Sequence, residues 1–280
     1  MNNREIFDKA LEQIKPETPK EKAIERIKVF CSREKPLLAF SGGKDSQAVY
    51  HLTIEALGRS NFEAQYNVSM EAPEVKQFIR RVYPDVTWAK HPDFNFYKAL
   101  VYHGYPRRLS RWCCEYMKEW AGSGRLIITG LRADESSRRR HYGIVEHRGK
   151  SRLSPVPKAL INPIIDWTSK DVWAYLQELG VEYTSVYDEG ASGKYKGDGI
   201  FRRVGCVLCP MASAWEKKQE LVRWPKIAEA WRSAFHRLYD DRMAKESEAI
   251  KRWKDADEMF WHYVHDTKPP SPNQYCFAFE

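Results

Sequence analysis

No stretch of this 280-residue chain stays apolar long enough to cross a bilayer, which excludes a single membrane-spanning helix. Residues 1–20 are polar and charged and lack the apolar core of a secretory signal. The expectation is therefore a cytoplasmic protein, or one that reaches a nucleus or organelle without such a signal. Internal repeats and low-complexity segments are absent, which sets aside arrays and compositionally biased tracts. Cysteine is scarce: Cys31, Cys113, Cys114, Cys206, Cys209 and Cys276. In a chain of this length without a signal, such clustering favours metal or redox chemistry over a disulfide framework.

What is present describes a globular domain with an anionic partner. Hydrophobic residues make up 42% and charged residues 30%, enough to bury a core under a polar surface. Lys and Arg total 46 against 38 Asp and Glu, for a net charge of +8. The excess is clustered at Arg107-Arg108 with Arg111, at Arg138-Arg139-Arg140, at Arg148-Lys150-Arg152 and at Arg202-Arg203. Any one cluster reads as solvated loop charge. Together they favour nucleotide phosphates, sulfate or nucleic acid.

Hydrophobic spacing predicts a helical N-terminal region interrupted by Pro16 and Pro19. Pro36-Leu37-Leu38-Ala39-Phe40 then reads as a short buried strand, and residues 45–57 as a helix with Ala48, Val49, Leu52 and Ala56 on one face. Strands are expected at 64–70, 86–88 and 126–130, helices at 73–82 and 169–179, and a loop ending at 161–165. Strands alternating with helices predict an α/β fold: a doubly wound, mostly parallel sheet with ligands at the carboxyl ends of its strands. Residues 190–203 read as a mobile loop. From Ala214 onward the chain is helical and dense in aromatics: Trp215, Trp224, Trp231, Phe235, Trp253 and Trp261. They read as packing. The expected domains are N-terminal helices at 1–30, a nucleotide-binding domain at 31–213 and a helical C-terminal layer at 214–280.

Between the first strand and its helix lies Ser41-Gly42-Gly43-Lys44-Asp45-Ser46. Glycines let backbone N–H groups approach phosphate oxygens, and the following helix adds its free N–H groups and positive dipole end. Lys44 can offset phosphate charge, the two serines can donate, and Asp45 can hold Mg²⁺ on a pyrophosphate. The spacing is not that of a Walker A loop. Gly130-Leu131-Arg132, followed by Arg138, ends another predicted strand and suits a sulfate or phosphate.

Cys113-Cys114 lies far upstream of Cys206-Val207-Leu208-Cys209. Two such pairs supply the four thiolates that Zn²⁺ or an iron–sulfur cluster requires. Adjacent cysteines suit the separated irons of a cluster better than one tetrahedral ion. A structural zinc and inert buried thiols are the alternatives. Basic neighbours Arg111, Lys118 and Arg203 would stabilise thiolates.

These segments resemble the adenine-nucleotide α-hydrolase superfamily of ATP pyrophosphatases and PAPS reductases, whose PP-loop the Ser41–Ser46 string looks like. Gly130-Leu131-Arg132-Ala133-Asp134-Glu135-Ser136-Ser137-Arg138 is similar to a PAPS-reductase segment. So is the stretch containing Pro163, Asp166, Trp167, Asp171, Val172 and Trp173, where both tryptophans read as packing. The cysteine spacing is similar to the [4Fe–4S] pattern of adenylylsulfate reductases and to pairs in the DNA phosphorothioation sulfurtransferase. The resemblance covers about residues 40–210. It implies a PP-loop (HUP-like) fold, nucleotide contacts from Ser41, Gly42, Gly43, Lys44, Asp45, Ser46, Gly130, Arg132 and Arg138, and catalytic roles for Lys44, Asp45 and Arg132. It also implies a [4Fe–4S] cluster on Cys113, Cys114, Cys206 and Cys209.

Two departures matter. The loop is intact where adenylylsulfate-cleaving reductases are often degenerate, which favours ATP with Mg²⁺ as substrate. The reductases' nucleophilic cysteine sits in a Glu-Cys-Gly-x-His tail, whereas Cys276 lacks that Gly and His and has apolar neighbours. The first expectation is ATP cleavage between the α and β phosphates, adenylation of an acceptor such as nucleic acid, and sulfur transfer, with a cysteine desulfurase as donor partner. The second is a PAPS or adenylylsulfate reductase in which Cys276 attacks sulfur and thioredoxin releases sulfite. The third is a nucleotide- or nucleic-acid-binding module of a modification or defence complex.

Overall fold

The computed structural model describes residues 18–32, 34–151, 153–192, 197 and 199–267. In chain order its main elements are α1 (Pro19–Cys31), β1 (Leu37–Phe40), α2 (Lys44–Leu57), β2 (Glu63–Asn67), α3 (Pro73–Val82) and β3 (Thr87–Ala89). There follow α4 (Phe96–His103), β4 (Leu126–Ile128), β5 (Val145–Arg148), β6 (Lys158–Ile161) and α5 (Ser169–Glu178). Last come α6 (Ala214–Arg223), α7 (Pro225–Ala244) and α8 (Ala256–His265). The chain divides into two compact units. One comprises Met1–Val68, Pro73–Ala89 and Glu119–Val204, the other Ser69–Ala72, Lys90–Lys118 and Gly205–Glu280.

The first unit is built on one six-stranded sheet of order β3-β2-β1-β4-β6-β5. Every pairing is parallel except β5 with β6. This is the mostly parallel α/β sheet expected from the sequence. Its central strands are apolar because helices cover both faces: Leu38 faces Ala64 on one side and Ile128 on the other, and all three are buried. One expectation needs correction, and one strand was not expected. Ile161, expected to end a loop, closes strand β6 instead. The edge strand β5 (Val-Glu-His-Arg) carries no apolar alternation, because an edge strand buries little on either face. Thr18 caps α1 reciprocally with Glu21, and Thr168 caps α5 with Asp171.

Asn162 stitches the sheet's second half together. It is fully buried, accepts from Thr129 Oγ1 at 2.6 Å just beyond β4, and donates to the Gly143 carbonyl at 2.9 Å ahead of β5.

The second unit is helical around an aromatic core. Trp231 of α7 is 1% exposed, stacks on Tyr263 of α8 at 5.4 Å, and meets Phe96 of α4 at 4.8 Å. Phe235, Trp224 and Trp253 are buried as the packing reading expects, whereas Trp215 and Trp261 are exposed.

Replacing Asn162 by Ala empties a buried position and removes its ties to half-buried Thr129 and to the exposed Gly143. Unfolding in urea should lose about 1–2 kcal/mol with an unchanged m value. A loss near zero would mean that water replaces the amide.

Candidate functional site

The strand order creates a switch point. From β1 the chain moves to β2 and β3 on one side, then returns to β4 on the other side of β1. Loops leaving the carboxyl ends of β1 and β4 therefore diverge and leave a crevice, the place where open α/β sheets bind ligands. The first of these loops is residues 41–46 and the second residues 129–132.

The first loop is closed by its own hydroxyls. Ser46 Oγ donates to the Gly43 carbonyl at 2.8 Å and accepts from the Ser41 backbone N–H and the Ser41 hydroxyl, each at 3.1 Å. Ser46 is thus a staple for the turn. Gly42 has a φ of 73°, and a Cβ there would stand 2.7 Å from Ile79, so only glycine fits. Gly43 is the N-cap of α2 and offers no side-chain cap. The Lys44 N–H donates instead to the hydroxyl of Tyr187 at 3.1 Å. Tyr187 is a site residue that the sequence reading misses, since nothing near position 187 signals its arrival 143 positions upstream. Burial raises its phenol pKa, and the charge of Asp45 adds to that.

Asp45 joins the two loops. Lys44 Nζ lies 3.0 Å from one carboxylate oxygen and Arg132 Nε 2.6 Å from the other. Lys44 and Arg132 are 3% and 2% exposed. Arg132 also donates to the Trp167 carbonyl and Asp134, each at 3.3 Å, and to Ser169 Oγ at 3.0 Å. So many partners make Arg132 a positioning residue. Two cations meet on one carboxylate at the start of α2, with Asp134 offsetting part of the Arg132 charge, and the helix dipole presents its positive end there. Gly130 packs against this junction, and a Cβ there would lie 2.9 Å from the Asp45 backbone.

Arg138 stands exposed in the next turn. There its charge, with those of Arg148 and Arg139, lowers the phenol pKa of Tyr142, chiefly through the Arg148 hydrogen bond. Trp167 is buried and donates to the Pro19 carbonyl at 3.2 Å, as a packing residue should. Trp173 is half-buried, edge-on to Tyr183 and Tyr187.

The second unit carries the four cysteines. Cys113 and Cys114 sit in the helical turn Trp112–Cys114, which runs into a π-helical turn, Glu115–Glu119. A hydrogen bond with Cys114, burial, and the charges of Cys114, Cys206 and Cys209 all raise the Cys113 thiol pKa. The four thiols therefore share one electrostatic neighbourhood. Cys206 is pushed up to about 11 by burial; Lys118 opposes this, while Glu71 and Cys209 add to it. Among the described residues, no three Cys, His, Asp or Glu gather as a single metal ion requires. Lys118 Nζ is 3.0 Å from Glu71, whose carboxylate also accepts from Ser69. Burial works against the Lys118 charge, but Cys206 and Glu71 hold it in place. Cys276 lies outside the described residues.

The phosphoadenosine phosphosulfate reductase domain model matches residues 35–212. An uncharacterized protein of Methanocaldococcus jannaschii is 27% identical over 238 residues, covering 79% of this chain and 46% of that protein. Adenosine 5'-phosphosulfate reductase of Salinibacter ruber is 31% identical over 93 residues, covering 33% of this chain and 31% of that protein. The chain spans about half the length of the Methanocaldococcus relatives it matches. A phosphoadenylyl-sulfate reductase from Candida auris, in a phosphate complex, aligns with a TM-score of 0.47 and 15% identity, over 73% of this chain and 98% of that one. Matched from the residues before β1 to those just past Cys209, over more than half its length, the chain belongs to the phosphoadenosine phosphosulfate reductase domain family.

Proposed function

We propose that this chain binds ATP at loop 41–46 and cleaves it between the α and β phosphates, adenylating an acceptor from which incoming sulfur then displaces AMP. The observation that carries this reading is the complete Ser-Gly-Gly-Lys-Asp-Ser loop, closed around Ser46 and opening α2 at the switch point. An acceptor nucleophile attacks the α-phosphorus, the bond to the bridging oxygen breaks, and the electron pair leaves with pyrophosphate. The N–H groups at the start of α2 and the Lys44 ammonium neutralise that leaving group. To do so Lys44 exchanges Asp45 for phosphate, while Arg132 keeps the carboxylate in place. Both Asp45 oxygens face cations. Mg²⁺ therefore fits as part of the nucleotide substrate better than as a resident ion.

Cys113, Cys114, Cys206 and Cys209 would hold a [4Fe–4S] cluster. The adjacency of Cys113 and Cys114, which suits the separated irons of a cluster better than one tetrahedral ion, supports a cluster over zinc. Bound there, a cluster supplies iron sites able to take sulfur or pass electrons. A cysteine desulfurase is the corresponding donor partner. The acceptor reading rests on charge: residues 136–161 hold Arg138, Arg139, Arg140, Arg148, Lys150, Arg152 and Lys158 against Glu146 as the single carboxylate. Because β5 runs antiparallel, Arg138 and Arg140, which precede it, lie at the sheet end that carries the crevice. A nucleic acid is the acceptor class that this charge fits.

A second reading, adenylylsulfate or PAPS reduction, is favoured by the name of the Salinibacter relative. It requires Cys276 as nucleophile and thioredoxin as reductant.

Anaerobically purified protein should release pyrophosphate from ATP, and Lys44→Ala should reduce that release about 10²-fold while the fold persists. Unchanged release would overturn the ATP assignment. Sulfite formed from adenylylsulfate with thioredoxin, and lost in Cys276→Ser, would establish reduction instead. Nucleic-acid affinity should fall steeply with salt, and the double change Arg138→Gln/Arg140→Gln should flatten that slope. A slope identical to wild type would remove nucleic acid from this face.

A further inference from the structure

The turn between Cys206 and Cys209 has an unusual centre. Leu208 lies in the left-handed region at φ 56°, where a side chain is costly and glycine is the ordinary choice. It is fully buried. Both of its backbone polar groups are taken by side chains from the helical layer. Its N–H donates to Glu220 Oε2 of α6 at 2.6 Å, and its carbonyl accepts from the Tyr263 hydroxyl of α8 at 2.5 Å. Neighbouring ties include Val207 N–H to the Met70 carbonyl at 2.8 Å, Ala212 N–H to the Cys209 carbonyl at 3.0 Å, and the Cys206 thiol to Ser69 Oγ at 3.6 Å.

The two clamping residues are themselves fixed. Tyr263 stacks on Trp231, and its own carbonyl accepts from Lys217 Nζ at 2.8 Å. The Lys217 ammonium, on a residue 1% exposed, lies 4.5 Å from the Tyr263 ring centre. Lys217 is one helical turn before Glu220 on α6, so one turn of α6 and one residue of α8 close around one backbone unit. The spacing of two thiols in a Cys-x-x-Cys turn is set by the dihedrals of the two residues between them. Holding Leu208 from both sides therefore fixes how the Cα–Cβ bonds of Cys206 and Cys209 stand relative to one another.

We propose that Glu220 and Tyr263 are positioning residues that preset the Cys206–Cys209 turn for its inorganic cluster. Both lie beyond residue 212, where the family match ends. The proposal rests on the cluster reading above for its purpose, but the clamp itself is testable without any metal.

The test uses the full chain with Tyr263→Phe and Glu220→Ala, which remove one tie each, and Glu220→Gln, which keeps an acceptor. Tyr239→Phe is the control. Its hydroxyl bonds the Trp253 and Lys254 carbonyls at 3.4 and 3.3 Å, so it removes a comparable group elsewhere in the same helical unit. In metal-free reduced protein, iodoacetamide should alkylate Cys206 and Cys209 about tenfold faster in Tyr263→Phe and Glu220→Ala than in wild type, the effect of losing one hydrogen bond that holds the turn closed. Cys31 should react at the wild-type rate throughout, Glu220→Gln should restore the slow rate, and Tyr239→Phe should not change it. Iron and sulfide per chain after anaerobic purification should fall in the same two variants. Wild-type rates in folded Tyr263→Phe and Glu220→Ala, or equal acceleration in Tyr239→Phe, would overturn the proposal. If one variant fails to fold, the other decides. Wild-type protein devoid of iron and sulfide would refute the cluster reading alone, leaving the alkylation rates to decide the clamp.

Discussion

Asp45 and the two cations on it hold loop 41–46 in register with the rest of the sheet. The carboxylate opens α2 after β1; Arg132 comes from the loop after β4. Their pairing across the switch point ties together two loops that the topology would otherwise let diverge. Arg132 is almost wholly buried, so removing Asp45 would take away its shortest ion pair and leave Asp134 as its remaining carboxylate partner. The pair therefore has a structural role whatever the ligand. It also leaves Lys44 as the cation able to move, because Arg132 has Trp167, Asp134 and Ser169 as further partners whereas the Lys44 ammonium is bonded to Asp45.

Around that pair the loop is organised with few groups. Ser46 occupies the turn's centre with three hydrogen bonds, Gly42 fits beneath Ile79, and Tyr187 meets the first N–H of the helix. The hydroxyls thus hold backbone N–H groups in place, and it is those N–H groups, with the helix dipole, that suit an anion. The cysteine site in the other unit relies on a different balance. Burial disfavours thiolate at Cys206 while Lys118 favours it, and Glu71 keeps Lys118 charged. Lys118 therefore offsets part of the cost of burying charge at Cys206.

Much of this was legible from residue order. The string Ser41–Ser46 announced a strand, a tight turn and a helix because each step has a local cause: apolar residues for the strand, glycines for the turn, and helical spacing after Asp45. The parallel sheet followed from the alternation, and the helical end from its aromatic density. The edge strand β5 was not legible, since a strand with little to bury has no hydrophobic period to show. Nor could the exposed Trp215 and Trp261 be told from the buried Trp231 and Phe235 by composition alone.

The sequence by itself determined which groups the chain can offer: a glycine-rich loop at a helix start, two cysteine pairs, and an arginine-rich segment after β4. Local chemistry suffices for that, because turns, caps and ligand types depend on near neighbours. Only the tertiary structure decided what each group does. It made Arg132 a buried tie to Asp45, brought Tyr187 to the head of α2, and set Glu220 and Tyr263 on either side of Leu208. These contacts join residues from 12 to 143 positions apart. Packing of the sheet and helices brings such residues together, and no spacing in the sequence encodes it.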